Sequence, residues 1–86
     1  MWIIELAFTP APERLAARPA HRDRLTALHG QGVVRMAGPL ADDTGAVIVL
    51  DAPGRAAVEA ILAADPYFTT PGVSVERIRD WRAFLA

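Results

Sequence analysis

Apolar and polar residues alternate at the start of the chain. In "WIIELAF" (residues 2–8), Trp2, Ile4, Leu6 and Phe8 fall on one face of an extended segment, and Ile3, Glu5 and Ala7 on the other. A β-strand is predicted there, broken by the "TPAP" that follows. From residue 13 to residue 30 the sequence reads as helix, with Pro19 inside it. Proline suits the first turn of a helix and breaks its interior. The main helix is therefore placed at 19–30, after a short helical turn at 12–17, and "HGQG" closes it.

Residues 32–38, "GVVRMAG", read as a second strand, and residues 46–51, "AVIVLD", as a third with apolar residues on both faces. "PLADDTG" between them has the composition of a turn, so the pair reads as a hairpin. A second helix is predicted over 55–65, with Val58, Ile61 and Leu62 as its apolar stripe and Pro66 as its stop. Residues 73–79 form a last strand, and "DWRAFLA" is a tail.

The resulting order, β-α-β-β-α-β, is an α+β arrangement of ferredoxin-like type. It is one domain, residues 1–86, with an antiparallel sheet and both helices on one face. The strands carry apolar residues on both faces, so the face without helices would be a large exposed patch. A second copy laid sheet to sheet is the simplest cover, and a homodimer, a dimeric α+β barrel, is predicted. The competing expectation is a monomer whose own tail, "DWRAFLA", lies over that face.

Composition narrows the chemistry. An 86-residue chain has a thin core, because it buries only roughly 60–65% of the surface it exposes when unfolded. The net charge of −1 gives no reason to expect nucleic acid or an anionic membrane as partner. No apolar run approaches the roughly 20 residues of a membrane span. "MWIIELAF" lacks a basic leader, so a cytoplasmic protein is expected. There is no cysteine, which removes disulfides, thiolate catalysis and cysteine metal sites. All nine basic residues are arginines, so a lysine Schiff base is excluded too.

Two ionisable residues stand out. His21, Leu25 and Leu28 are spaced i, i+4, i+7 and share one helix face; Asp65 extends the stripe of Val58, Ile61 and Leu62. In the predicted topology the start of the first helix and the end of the second lie at the same end of the domain, under the "AGPLADD" turn. His21 and Asp65 should therefore meet there. A carboxylate within hydrogen-bond reach of an imidazole fixes its tautomer and leaves the other ring nitrogen as a base. Such a pair accelerates proton transfer by roughly 10²–10⁴. A helix N-terminus disfavours a charged His21 and a C-terminus disfavours a charged Asp65, which favours pairing. The plainer alternative is a buried hydrogen bond that ties two helix ends together.

At this point the sequence resembles the YCII-related domain family. The resemblance spans nearly the whole chain: the N-terminal strand, "RPAH" (18–21), "AGPL" (37–40), the acidic hairpin with Asp42, Asp43 and Gly45, "ADPY" (64–67), and "RDW". It implies a ferredoxin-like homodimer with a histidine–aspartate site, matching His21 and Asp65. The family is similar to muconolactone isomerases, and a member is known as a dehydrochlorinase of a chlorinated hydroxyquinol. That implies proton transfer on small oxygenated rings. "DPY" stands where "DPF" is commoner, and the Tyr67 hydroxyl would be an extra donor or simply reach water.

Other residues of the sequence offer chemistry beside the pair. Arg18 offers a planar fork for an anionic group, or is a solvated charge at a helix end. Gly38, Pro39 and Leu40 would let backbone approach a ligand, or are plain turn chemistry. His29 reads as a surface residue whose charge suits a helix C-terminus. Asp42 and Asp43 read as solvated hairpin acids. Arg77 and Arg79 share a strand face with Trp81 and could stack on it. No three convergent metal ligands, phosphate-binding glycine loop or nucleophile elbow occurs, so neither a metal nor a cofactor is expected. Two functions follow. One is a small cofactor-independent enzyme in which His21 is the acid/base, Asp65 orients it, and Arg18, Gly38, Pro39, Leu40 and Tyr67 shape the substrate pocket. The other is a non-catalytic dimeric module for ligand binding or interaction.

Overall fold

The computed structural model covers residues 1–86 and places the N-terminal strand, β1 (Trp2–Phe8), inside a four-stranded sheet. The order across the sheet is β2 (Val34–Pro39), β3 (Gly45–Leu50), β1, β4 (Val73–Asp80), and every neighbouring pair is antiparallel. Helix α1 (Pro12–Gly30) links β1 to β2, and helix α2 (Arg55–Ala63) with a 3₁₀ turn (Pro66–Thr69) links β3 to β4. The architecture is α+β with βαββαβ order and a ferredoxin-like topology, as the alternation pattern predicts.

Register decides which face is buried. Ile4 lies opposite Ile48 and Ile78, Leu6 opposite Ala46, and Val34 opposite Leu50, so these residues share one side of the pleat. They form the core with Val58 of α2 and with Tyr67 and Phe68 of the 3₁₀ turn. Leu25 and Leu28 of α1 and Ile61 and Leu62 of α2 pack against that cluster, so both helices cover the same face. The reverse face carries Ile3, Val47, Val49 and Met36, of which Met36 is 64% exposed. Beside them Arg79 donates to the Glu5 carboxylate at 2.8 Å, and Arg77 lies 3.7 Å from the same oxygen. The arginines of β4 thus converge on Glu5 and not on Trp81. The chain's one cation–π pair is Arg14 over Phe8.

Both outer strands are irregular. In β2 the pairing slips between Val34 and Met36, leaving Arg35 as the extra residue. In β4 it slips opposite Glu5 and Leu6, leaving Glu76. Gly45 begins β3 where it passes close to β1; a Cβ there would run into the Leu6 carbonyl oxygen. The ends of the chain extend the β1–β4 ladder, with the Trp81 amide donating to Met1 O at 2.7 Å and the Met1 amine to Trp81 O at 3.1 Å. Beyond this point the tail does not fold over the sheet: Phe84 is 92% exposed. The expectation of a tail-covered face is therefore overturned, because its apolar side chains point to solvent.

Two helix boundaries also differ from expectation. α1 runs unbroken through Pro19. The proline removes the bond to the carbonyl four residues back, that of Leu15, but both residues are exposed and water can take the freed acceptor. His21 therefore sits in mid-helix, and the N-terminal dipole acts on Pro12 and its neighbours instead. α2 stops at Ala63, short of Asp65. The residue before a proline is pushed out of the helical region, and Asp65 is extended, with φ −115° and ψ 110°.

Candidate functional site

Asp65 is the N-cap of the 3₁₀ turn. Its Oδ1 accepts the Tyr67 amide at 3.0 Å, and its Oδ2 lies 2.7 Å from Nδ1 of His21. Both oxygens are thereby committed, and the carboxylate plane is fixed by backbone on one side and imidazole on the other. A carboxylate can only accept, so Nδ1 of His21 carries the hydrogen in this bond. The same short segment also supplies the walls around the imidazole. The Tyr67 ring stacks on His21 with centroids 3.9 Å apart and planes 9° from parallel. Phe68 meets it edge-on at 5.2 Å. "DPYF" thus delivers a hydrogen-bond acceptor, a helix stop and two aromatic walls from four consecutive residues. Arg24 of α1 caps the end of α2 through the Ala64 carbonyl, holding the two helices together behind the pair.

His21 is 6% exposed, yet it is not closed off. It lines a cleft of about 460 Å³ between α1 and the β2–β3 hairpin. Only one side-chain nitrogen or oxygen in the chain is both sealed from solvent and without a partner, and that is Nε of Arg14. Nε2 of His21 makes no hydrogen bond, so it keeps contact with the cleft. The Tyr67 hydroxyl is in the same position. The cleft therefore presents an imidazole nitrogen acceptor and a phenol beside the apolar side chains of Leu6, Leu25, Val34 and Ile48.

Of the pocket residues expected from sequence, Arg18, Gly38, Pro39 and Tyr67 line this cleft with His21. Asp65 stands behind His21, outside the cleft wall. Leu40 does not line it either; its backbone closes the hairpin, donating to Gly45 O at 2.8 Å and accepting from the Asp43 amide at 2.9 Å. Gly38 has open space around it, with nothing within 4 Å of where a Cβ would stand. His29 is exposed at the rim. Asp42 is exposed and structural: its Oδ1 accepts the Thr44 hydroxyl at 2.7 Å and the Thr44 amide at 3.1 Å, which holds its carboxyl below the ordinary 3.8. Asp43 adopts φ 61° in the turn and leans over α1.

The residue that sequence reading missed is Arg14. It is buried at 7% exposure, lies against Phe8 with its guanidinium carbon 4.3 Å from the ring centroid, and lines the cleft. The signal was available: residues 14, 18, 21, 22 and 25 fall on one helical face. An arginine in that stripe reads as a solvated charge until its surroundings are known.

A family model of the YCII-related domain matches residues 1–82, and the chain belongs to that family. Among curated proteins nothing matches the chain. No helix is long and apolar enough to cross a membrane.

Proposed function

We propose that this YCII-related domain is a small enzyme that moves a proton on an oxygenated metabolite, by isomerisation or elimination, with His21 as acid/base. The observation that carries the reading is the division of labour on one imidazole: Nδ1 is bound to Asp65 and Nε2 is open to the cleft. Asp65 holds the tautomer in which Nε2 is the acceptor, and stabilises the imidazolium once a proton is taken. Stacking on Tyr67 keeps the ring from turning. In such a reaction Nε2 removes a proton from carbon next to a carbonyl or within a hydroxylated ring, and the C–H electron pair enters the π system. Isomerisation follows when the same proton returns at another carbon. Elimination follows when the pair expels a leaving group on the neighbouring atom. An imidazole suffices for either, so the reading invokes no cofactor or metal. The Tyr67 hydroxyl is placed to donate to an oxygen that gains charge.

The working unit in this reading is a homodimer packed through the open sheet face, where Met36 is exposed and Ile3 and Val47 are half-buried, none of them covered by the chain's own tail. Sedimentation should give twice the chain mass, and Met36→Glu should shift it toward one chain without unfolding it. Small-molecule substrates, not nucleic acid, are the partners, and a cytoplasmic setting suits them.

The test is deuterium exchange. Small lactones, enones and chlorinated hydroxyquinols are incubated with the protein in D₂O and followed by NMR for deuterium uptake or halide release. Wild type should act on members of the panel and His21→Ala should not, while retaining the wild-type mass. Equal activity of the two proteins refutes the reading.

The burial of the pair favours a second reading, a non-catalytic ligand-binding or interaction module. There His21–Asp65 only ties α1 to the 3₁₀ turn. It predicts loss of stability in either single variant, with no turnover by wild type.

A further inference from the structure

Arg14 places a cation in the cleft wall, over the Phe8 ring, with no hydrogen-bond partner. Its side chain makes no hydrogen bond, and Nε is sealed from solvent. Its single counter-charge is Asp43, whose Oδ2 stands 3.9 Å from Nη2, beyond hydrogen-bond reach, on a side chain that is itself mostly exposed. The two Nη groups are not among the sealed atoms, so they retain access to the cleft. A buried guanidinium has five donors, and leaving them unmet is costly. One helical turn on, Arg18 lines the same cleft, and Arg22 follows another turn later; neither has a salt-bridge partner. Three arginines thus face one acid around the opening. Leu6, Phe8, Leu25, Val34 and Ile48 give the wall an apolar stretch, beside the polar His21, Thr26 and His29.

We infer that the cleft selects a small organic anion with an apolar body, its oxyanion head held by Arg14 and Arg18. The inference names the substrate class for the proton-transfer site and rests on the cleft above His21 being where substrate sits. Arg14 and His21 are seven residues apart, about 10 Å along a helix axis at 1.5 Å per residue. Arg18 is three residues from His21, about 5 Å along the axis. A single ring or short chain with one carboxylate spans that interval, anion toward Arg14 and reacting carbon toward Nε2. The cleft's size suits a molecule of that kind. The planar fork of arginine pairs with two oxygens of one head group, so a carboxylate or a phosphate satisfies the same chemistry.

The experiment is titration calorimetry of the full chain with benzoate, phenyl phosphate and the neutral benzamide, on wild type and on Arg14→Gln, Arg18→Gln and Arg35→Gln. Arg35 lies outside the cleft and serves as control. Benzoate or phenyl phosphate should bind at least about tenfold more tightly than benzamide. Arg18→Gln should weaken the anion by about tenfold and leave benzamide unchanged; Arg35→Gln should change neither. The stronger of the two anions identifies the head group. Should Arg14→Gln not fold, Arg18→Gln still decides. Equal binding of benzoate and benzamide, or no binding of either anion by folded wild type, overturns the inference. The readout is binding alone, so it stands apart from whether any turnover is found.

Discussion

Tyr67 grips His21 twice. Its ring lies flat on the imidazole at 3.9 Å, and its amide holds the far oxygen of the carboxylate that binds Nδ1. The two contacts come from different parts of one residue, so they can be separated by substitution. Tyr67→Phe keeps both and should change stability by less than about 1 kcal/mol. Tyr67→Ala removes the stack and should cost about 3–5 kcal/mol in urea unfolding. If the hydroxyl donates to substrate, Tyr67→Phe lowers turnover although the fold is intact.

Asp65 has two structural duties, and they predict unequal losses. Asp65→Asn keeps an acceptor for the Tyr67 amide and should cost about 1–3 kcal/mol through the weakened bond to His21. Asp65→Ala also removes the N-cap, adding about 0.5–2 kcal/mol. A double-mutant cycle with His21→Ala measures the coupling, expected at about 0.5–3 kcal/mol. Additive losses would mean that the pair is not energetically linked.

Two glycines should behave in opposite ways. Gly45→Ala drives a Cβ into the Leu6 carbonyl at the β3–β1 contact and should destabilise by about 1–3 kcal/mol or more. Gly38→Ala meets nothing and should leave the denaturation midpoint within about 0.5 kcal/mol. Because Gly38 lines the cleft, its methyl group reports on ligand contact instead, and reduced anion affinity in a fully stable protein would place the ligand beside β2.

The hairpin carries a pH signature. The Thr44 hydroxyl and amide hold Asp42 below 3.8, so its carboxylate form is favoured in the folded turn. A carboxyl lowered on folding contributes stability that is present above its unfolded value and lost as pH falls through the folded one. The Thr44 amide resonance should therefore move with a midpoint under 3.8, and Asp42→Ala should abolish that transition and speed Thr44 amide exchange. A midpoint at or above 3.8 contradicts the assignment.

Much of this was legible in the residues. Strand alternation and two punctuated helices give the βαββαβ order, and the i, i+4, i+7 spacing of His21 with Leu25 and Leu28 puts the imidazole on the core side. Extending the helical stripe brings Asp65 to His21, and the structure pairs the two, but the helix ends at Ala63 and Asp65 meets His21 from the 3₁₀ turn. Pro66 explains the difference: it stops the helix and makes Asp65 a cap. Pro19 departs in the other direction: the local rule against proline in helices takes no account of water serving the freed carbonyl, and α1 runs through it. Arg14 could not be read as buried from sequence, since its shelter is Phe8, a strand residue brought over it by tertiary packing.

The displaced residues in the two outermost strands have a consequence for assembly. Arg35 and Glu76 each interrupt the ladder of their strand with a charged, solvent-facing side chain, and Pro39 cannot donate at the end of β2. A foreign strand would find no straight run of backbone groups on either border. Growth of the sheet sideways into ribbons or fibrils is thereby obstructed.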